Sequence, residues 1–84
     1  MGEPSTQAPL TPEQVKELAQ KLSHMRHEIN NHLSLVVAAL ELVRLKPEMR
    51  EKMLDTISQQ PPKISAELVK FSNEFERATG ILRR

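Results

Sequence analysis

The chain has 84 residues, of which 27% are charged and 38% apolar, and its formal net charge is +1. That length allows one small domain, and the near-neutral balance gives neither DNA nor an anionic lipid surface a bulk electrostatic hold. Phe71 and Phe75 are the only aromatics, there are two glycines and no cysteine, so base-stacking platforms, phosphate-cradling glycine loops, disulfides and thiolate metal sites are excluded.

Residues 1–10 mix Pro, Ser, Thr, Gln and Gly with almost nothing to bury, and read as a disordered N-terminal tail. They lack the charged and apolar regions of a signal peptide, and Met1-Gly2 with Thr6 matches a myristoylation pattern only loosely. The longest wholly apolar run, Leu35 to Leu40, is far below the ~20 residues a bilayer span needs. A cytoplasmic, membrane-free location is expected.

Helical signals begin at Thr11, a good N-cap. Pro12 suits the first helical position, Glu13 complements the positive helix end, and Gln14 completes a capping-box pattern. Leu10 can staple onto Val15. Val15, Leu22, Ile29, Val36 and Val43 recur every seven residues, with Leu18, Met25, His32 and Ala39 three after each of the first four. This is an a/d seam, widened by Leu33 and Leu40. Pro47 disfavours helical geometry at Lys46, so the first helix is expected over about 12–45.

A second helix is expected from Pro47 to about Ala78, with Met53, Ile57, Ile64, Leu68, Phe71, Phe75 and Ala78 as its seam. Gly80 supplies the stop, Ile81 a hydrophobic clasp, and 81–84 a short tail. Pro61-Pro62 removes two backbone donors inside this helix and should bend it, because the apolar pattern resumes nearly in phase at Ile64. Two helices separated by a turn are the lesser alternative. The fold class is therefore all-α: an antiparallel helical hairpin over 11–80. A hairpin cannot cover two wide apolar stripes alone, so it is expected to dimerise into a four-helix bundle, as a symmetric homodimer.

Candidate chemistry lies between Ser23 and Leu33. His27 falls at heptad position f, the most exposed, with Glu28 beside it and Asn31 one turn on. A neutral imidazole offers one nitrogen as nucleophile. A carboxylate near the other nitrogen can stabilise the charge that develops on attack, and an amide can position a phosphoryl group or a water. Phosphoryl transfer depends on alignment and charge stabilisation, which a stiff helix face supplies. The bland alternative is an ordinary surface histidine with polar neighbours. His24, His27 and Glu28 have i, i+3, i+4 spacing, but no further ligand is identifiable and no metal is assigned. His32, at a d position, reads as a seam histidine that sets register.

His27-Glu28-Ile29-Asn30-Asn31 resembles the H-E-x-x-N core of the dimerisation and histidine-phosphotransfer (DHp, HisKA-like) domain of bacterial sensor histidine kinases. Leu33-Ser34-Leu35-Val36 is similar to that family's apolar continuation, and residues 64–72 resemble the later part of its second helix; the likeness covers about 12–80. The resemblance implies that His27 is the phosphoacceptor, that Glu28 assists transfer, and that Asn31 contributes to dephosphorylation of a partner receiver domain. Many members carry proline directly after that amide, where this chain has His32. The bend is expected to have moved to Pro61-Pro62, roughly level with His32.

Implied partners are a second copy of the chain, a response-regulator receiver domain supplying an aspartate and its own Mg²⁺, and a separate histidine kinase or its ATP-binding domain. The 84 residues hold no ATP-binding domain, so phosphate is expected from a separate kinase or a phosphorylated receiver unless the chain is an excerpt of a longer one. The chain is thus expected to be a phosphotransferase component at most, a phosphocarrier between His27 and a receiver aspartate, with no intrinsic cofactor. A degenerate DHp-like scaffold or inhibitor without transfer is the second reading, and a helical adaptor outside any phosphorelay the third.

Overall fold

The computed structural model describes residues 10–80. The expected tail at 1–10, apart from Leu10, the tail at 81–84 and the clasp through Ile81 lie outside the described residues. Helix α1 runs Pro12–Leu45, and helix α2 runs Arg50–Thr79. No strand occurs among the described residues.

The start of α1 is closed by a reciprocal cap. Gln14 N–H donates to Thr11 Oγ1 at 3.1 Å, and Thr11 N–H donates to Gln14 Oε1 at 2.8 Å. Thr11 itself is extended, at φ −77° and ψ 160°, so the chain enters the helix through its cap. Leu10 is half-buried, while Val15 remains exposed. At the other end, Lys46 leaves helical geometry, as a residue before proline is expected to.

The connection differs from the sequence expectation. The second α-helix begins at Arg50 rather than at Pro47, because Pro47–Met49 form a single 3₁₀ turn. Met49 N–H bonds Lys46 O at 2.9 Å, an i→i+3 closure tighter than an α turn. At the far end Gly80, at φ 75°, is left-handed and its N–H returns to Glu76 O at 2.8 Å. Only glycine adopts that geometry without a Cβ penalty.

Helix α2 continues through Pro61 and Pro62, which excludes two helices parted by a turn. The prolines cannot donate to the carbonyls of Ile57 and Ser58, so two rungs of the helical ladder are missing. Side chains bond to the backbone just before that gap. Thr56 Oγ1 donates to Lys52 O, Ser58 Oγ to Asp55 O, and Gln60 Nε2 to Thr56 O.

The two helices pack antiparallel, as shown by the descending partners of α1: Lys21 with Glu74, then His32 with Gln60. Along α1 the contact line follows the d positions. Leu18, Met25 and His32 are half-buried, and Ala39 is 3% exposed. Of the a residues, Ile29, Val36 and Val43 are half-buried too, while Val15 and Leu22 remain exposed. A two-helix hairpin reaches only one edge of the stripe. The core is correspondingly thin, with Ala39, Met53 and Gln60 the buried residues among those described.

If α2 keeps helical geometry at its prolines, replacing both with alanine should stabilise the fold. Each interior proline costs roughly 3 kcal/mol against alanine. Pro61→Ala/Pro62→Ala should therefore raise the unfolding free energy by about 3 kcal/mol or more in a urea titration followed by circular dichroism.

Candidate functional site

His27 is exposed on α1, five residues before His32 at the helix–helix contact. Successive residues of an α-helix are rotated by about 100°, so Asn31 lies about 40° from His27 on the same flank. It too is exposed. Glu28 is turned about 100° from His27, towards α2, and is half-buried. It stands in an i, i+4 row between His24 and His32. The structure therefore keeps His27 and Asn31 on a common open flank and sets Glu28 on the edge of the contact face. Among the described residues, no side-chain hydrogen bond or ion pair engages His27, Glu28 or Asn31. The imidazole of His27 is unencumbered.

Next to this flank runs a groove of about 310 Å³ between the helices, with His24 and Lys21 on one wall and Glu67 and Lys70 on the other. Met25 and Phe71 also line it. Lys21 Nζ meets Glu74 Oε2 at 3.7 Å across its upper end, a pair exposed enough to contribute only a few tenths of a kcal/mol. No cluster of three metal-ligating side chains occurs among the described residues.

The opposite side of the hairpin is apolar. Leu33 and Leu40 directly follow His32 and Ala39 in α1. Leu54, Leu68 and Phe75 directly follow Met53, Glu67 and Glu74 in α2. The same one-residue rotation away from the contact line, on two antiparallel helices that face each other, brings both stripes to one side of the molecule. All five side chains are exposed, by 39% to 49%, as are Val15 and Leu22. His27 lies about 140° round the helix from Leu22 and Leu40. His27 and the leucine stripe therefore occupy separate sectors of α1.

One part-buried contact between the helices is polar. His32 Nδ1 and Gln60 Oε1 are 2.8 Å apart, and Gln60 Nε2 donates to Thr56 O at 2.9 Å. A carbonyl only accepts, which fixes the amide's orientation, so Oε1 faces the ring and His32 Nδ1–H donates to it. The sequence reading placed His32 in the seam but passed over Gln60. The signal was its position, three residues after Ile57 and four before Ile64, in phase with the stripe.

No protein-family model matches this chain, and neither does any curated protein or solved structure. No helix among the described residues is long and apolar enough to cross a membrane.

The exposure difference between the histidines is directly measurable. With diethyl pyrocarbonate followed by peptide mass spectrometry, His27 should be acylated several-fold faster than His32, whose ring is half-buried and bonded.

Proposed function

We propose that this chain is a dimeric histidine phosphocarrier of the DHp type, exchanging a phosphoryl group between His27 and a receiver aspartate in two-component or phosphorelay signalling. One observation carries the reading: an unengaged imidazole within an H-E-x-x-N sequence stands on a long helix, well round from an uncovered apolar stripe. A second copy docked on that stripe buries Leu22, Leu33 and Leu40 with Leu54, Leu68 and Phe75 and leaves His27 in solvent. Covering a half-exposed leucine yields on the order of 1 kcal/mol, so six per protomer favour association. The four-helix bundle is the arrangement that covers both stripes.

In the transfer, one ring nitrogen of neutral His27 attacks the phosphorus of the receiver's aspartyl phosphate. The N–P bond forms, the P–O bond to the acyl oxygen breaks, and the aspartate leaves as carboxylate. The proton on the other ring nitrogen leaves the phosphorylated ring cationic, a charge that the Glu28 carboxylate, one residue on, is suited to stabilise. Asn31, on the same flank, offers an amide to a phosphoryl oxygen or a water. The reverse sequence returns the group to the aspartate. Mg²⁺ belongs to the receiver, and ATP to a kinase's ATP-binding domain. A cytoplasmic setting suits these partners.

Incubating the protein with a phosphorylated receiver should place an acid-labile, base-stable phosphate on His27, and His27→Gln should abolish it. Light scattering should give twice the chain mass, and Leu33→Glu/Leu40→Glu should return it to the monomer. The same transfer assay on Pro61→Ala/Pro62→Ala tests whether a bend at the prolines matters, since an unchanged rate removes that role.

The half-burial of Glu28, turned from His27 towards α2, favours one second reading: a degenerate DHp-like scaffold or inhibitor that retains the dimer and the partners without transfer. It predicts the same mass and receiver binding with no phosphohistidine under any donor.

A further inference from the structure

The one polar side chain sealed from water among the described residues, Gln60 at 2% exposed, sits immediately before the two prolines that interrupt the α2 ladder. Gln60 and Pro61 each precede a proline, and such residues are pushed away from helical geometry. The turn before them also lacks the N–H groups that would hold the Ile57 and Ser58 carbonyls. Local backbone preference therefore opposes the helix at this point. Opposing it is a continuous chain of hydrogen bonds: His32 Nδ1–H on α1, Gln60 Oε1, the Gln60 amide, and Thr56 O one turn back on α2. It ties the weakened turn to its own helix and to the neighbouring one through a single side chain.

We propose that Gln60 and His32 are positioning residues for the His27 site, clamping α2 so that its half beyond the prolines stays docked on the α1 segment that carries His27. Resting on the phosphocarrier reading, this deepens it. The segment beyond the prolines supplies Glu67, Lys70, Phe71 and Glu74, which face Lys21, His24 and Met25 across the groove. Those α1 residues precede His27 by two to six positions on the same rigid helix. Without the clamp, the weakest turn of α2 is free to open, and the half of α2 that braces the His27 end of α1 loses its anchor. A buried polar pair of this kind also opposes slippage, because any register shift strands the Gln60 amide without a partner.

The clamp has a signature in the unaltered protein. Long-range ¹⁵N–¹H spectra of the dimer should show neutral His32 protonated at Nδ1, the minor tautomer of free histidine. Gln60→Leu keeps an apolar side chain of similar size in the seam. It should retain helix content and mass while amide exchange through residues 57–66 accelerates about tenfold or more. With phosphorylated receiver as donor, its transfer rate at saturation should fall about tenfold while KM changes by less than about twofold, the mark of lost alignment. The swapped pair His32→Gln/Gln60→His should recover at least half of the lost rate. An Nε2–H tautomer at His32, or a folded Gln60→Leu protein with unchanged exchange and rate, overturns the clamp. Should Gln60→Leu fail to fold, the tautomer of the unaltered protein decides. If the unaltered chain accepts no phosphoryl group, the phosphocarrier reading and the positioning role fall together, and the clamp as a structural lock is judged by tautomer and exchange alone.

Discussion

A primary amide closed off from water must find partners at both its oxygen and its nitrogen, or the fold carries the cost of desolvating them. Gln60 meets that demand with one group from each helix, Thr56 O behind it and His32 Nδ1–H across from it. Apolar contacts between two helices tolerate sliding, since a shift by one heptad replaces one leucine with another. The amide tolerates none. Among the described residues the other buried ones are an alanine and a methionine, so this is the buried contact whose pairing a shift of register would break. It is also level with the only prolines inside α2, where the register would be easiest to lose.

Fixing the register fixes what each side of the hairpin presents. The d line of α1 and the Met53, Gln60 line of α2 face each other. Leu33 and Leu40, which follow His32 and Ala39, and Leu54, which follows Met53, turn to the apolar side, while Glu17 and His24, which precede Leu18 and Met25, turn to the polar groove. Helix α1 thus carries an uncovered leucine stripe and an uncovered histidine flank on separate sectors of one cylinder. A small domain cannot bury much of its own surface, and two helices bury less than most. The exposed leucines follow from that geometry as directly as the capping box follows from Thr11 and Gln14.

Signals that act within one turn were legible in the sequence: the Thr11 cap, the arrest at Pro47 and the left-handed Gly80 each depend on neighbours a few residues away. The extent of α1 followed from them. The 3₁₀ turn at Pro47–Met49 was not legible, since proline suits the first turn of either helix type and the choice is made by the tight closure on Lys46 O. The apolar stripes were visible as stripes, but not the edge that packs within the chain. A heptad pattern does not say which part of the stripe the second helix reaches: the d line and Ile29, Val36 and Val43 are at least half-buried, while Val15, Leu22, Leu33 and Leu40 stay exposed. Gln60 escaped notice because its reason for being buried lies 28 residues away in the chain, on His32. The candidate site was legible as a motif in His27, Glu28 and Asn31. The rotation of Glu28 towards α2 required knowing which side of α1 the second helix occupies.

That rotation links the two polar features of the molecule. Glu28 and His32 are one turn apart and share nearly one azimuth, whereas His27 and Asn31 share another. The azimuth of α1 is set where His32 meets Gln60. Turning the helix far enough to bring Glu28 onto the open flank of His27 would carry His32 away from the amide and leave a buried carbonyl oxygen unpaired. The bond that fixes the register therefore also fixes how far the carboxylate is withdrawn from the imidazole. Any assistance Glu28 gives to His27 must then come through the carboxylate's own side-chain torsions, with the helix held still.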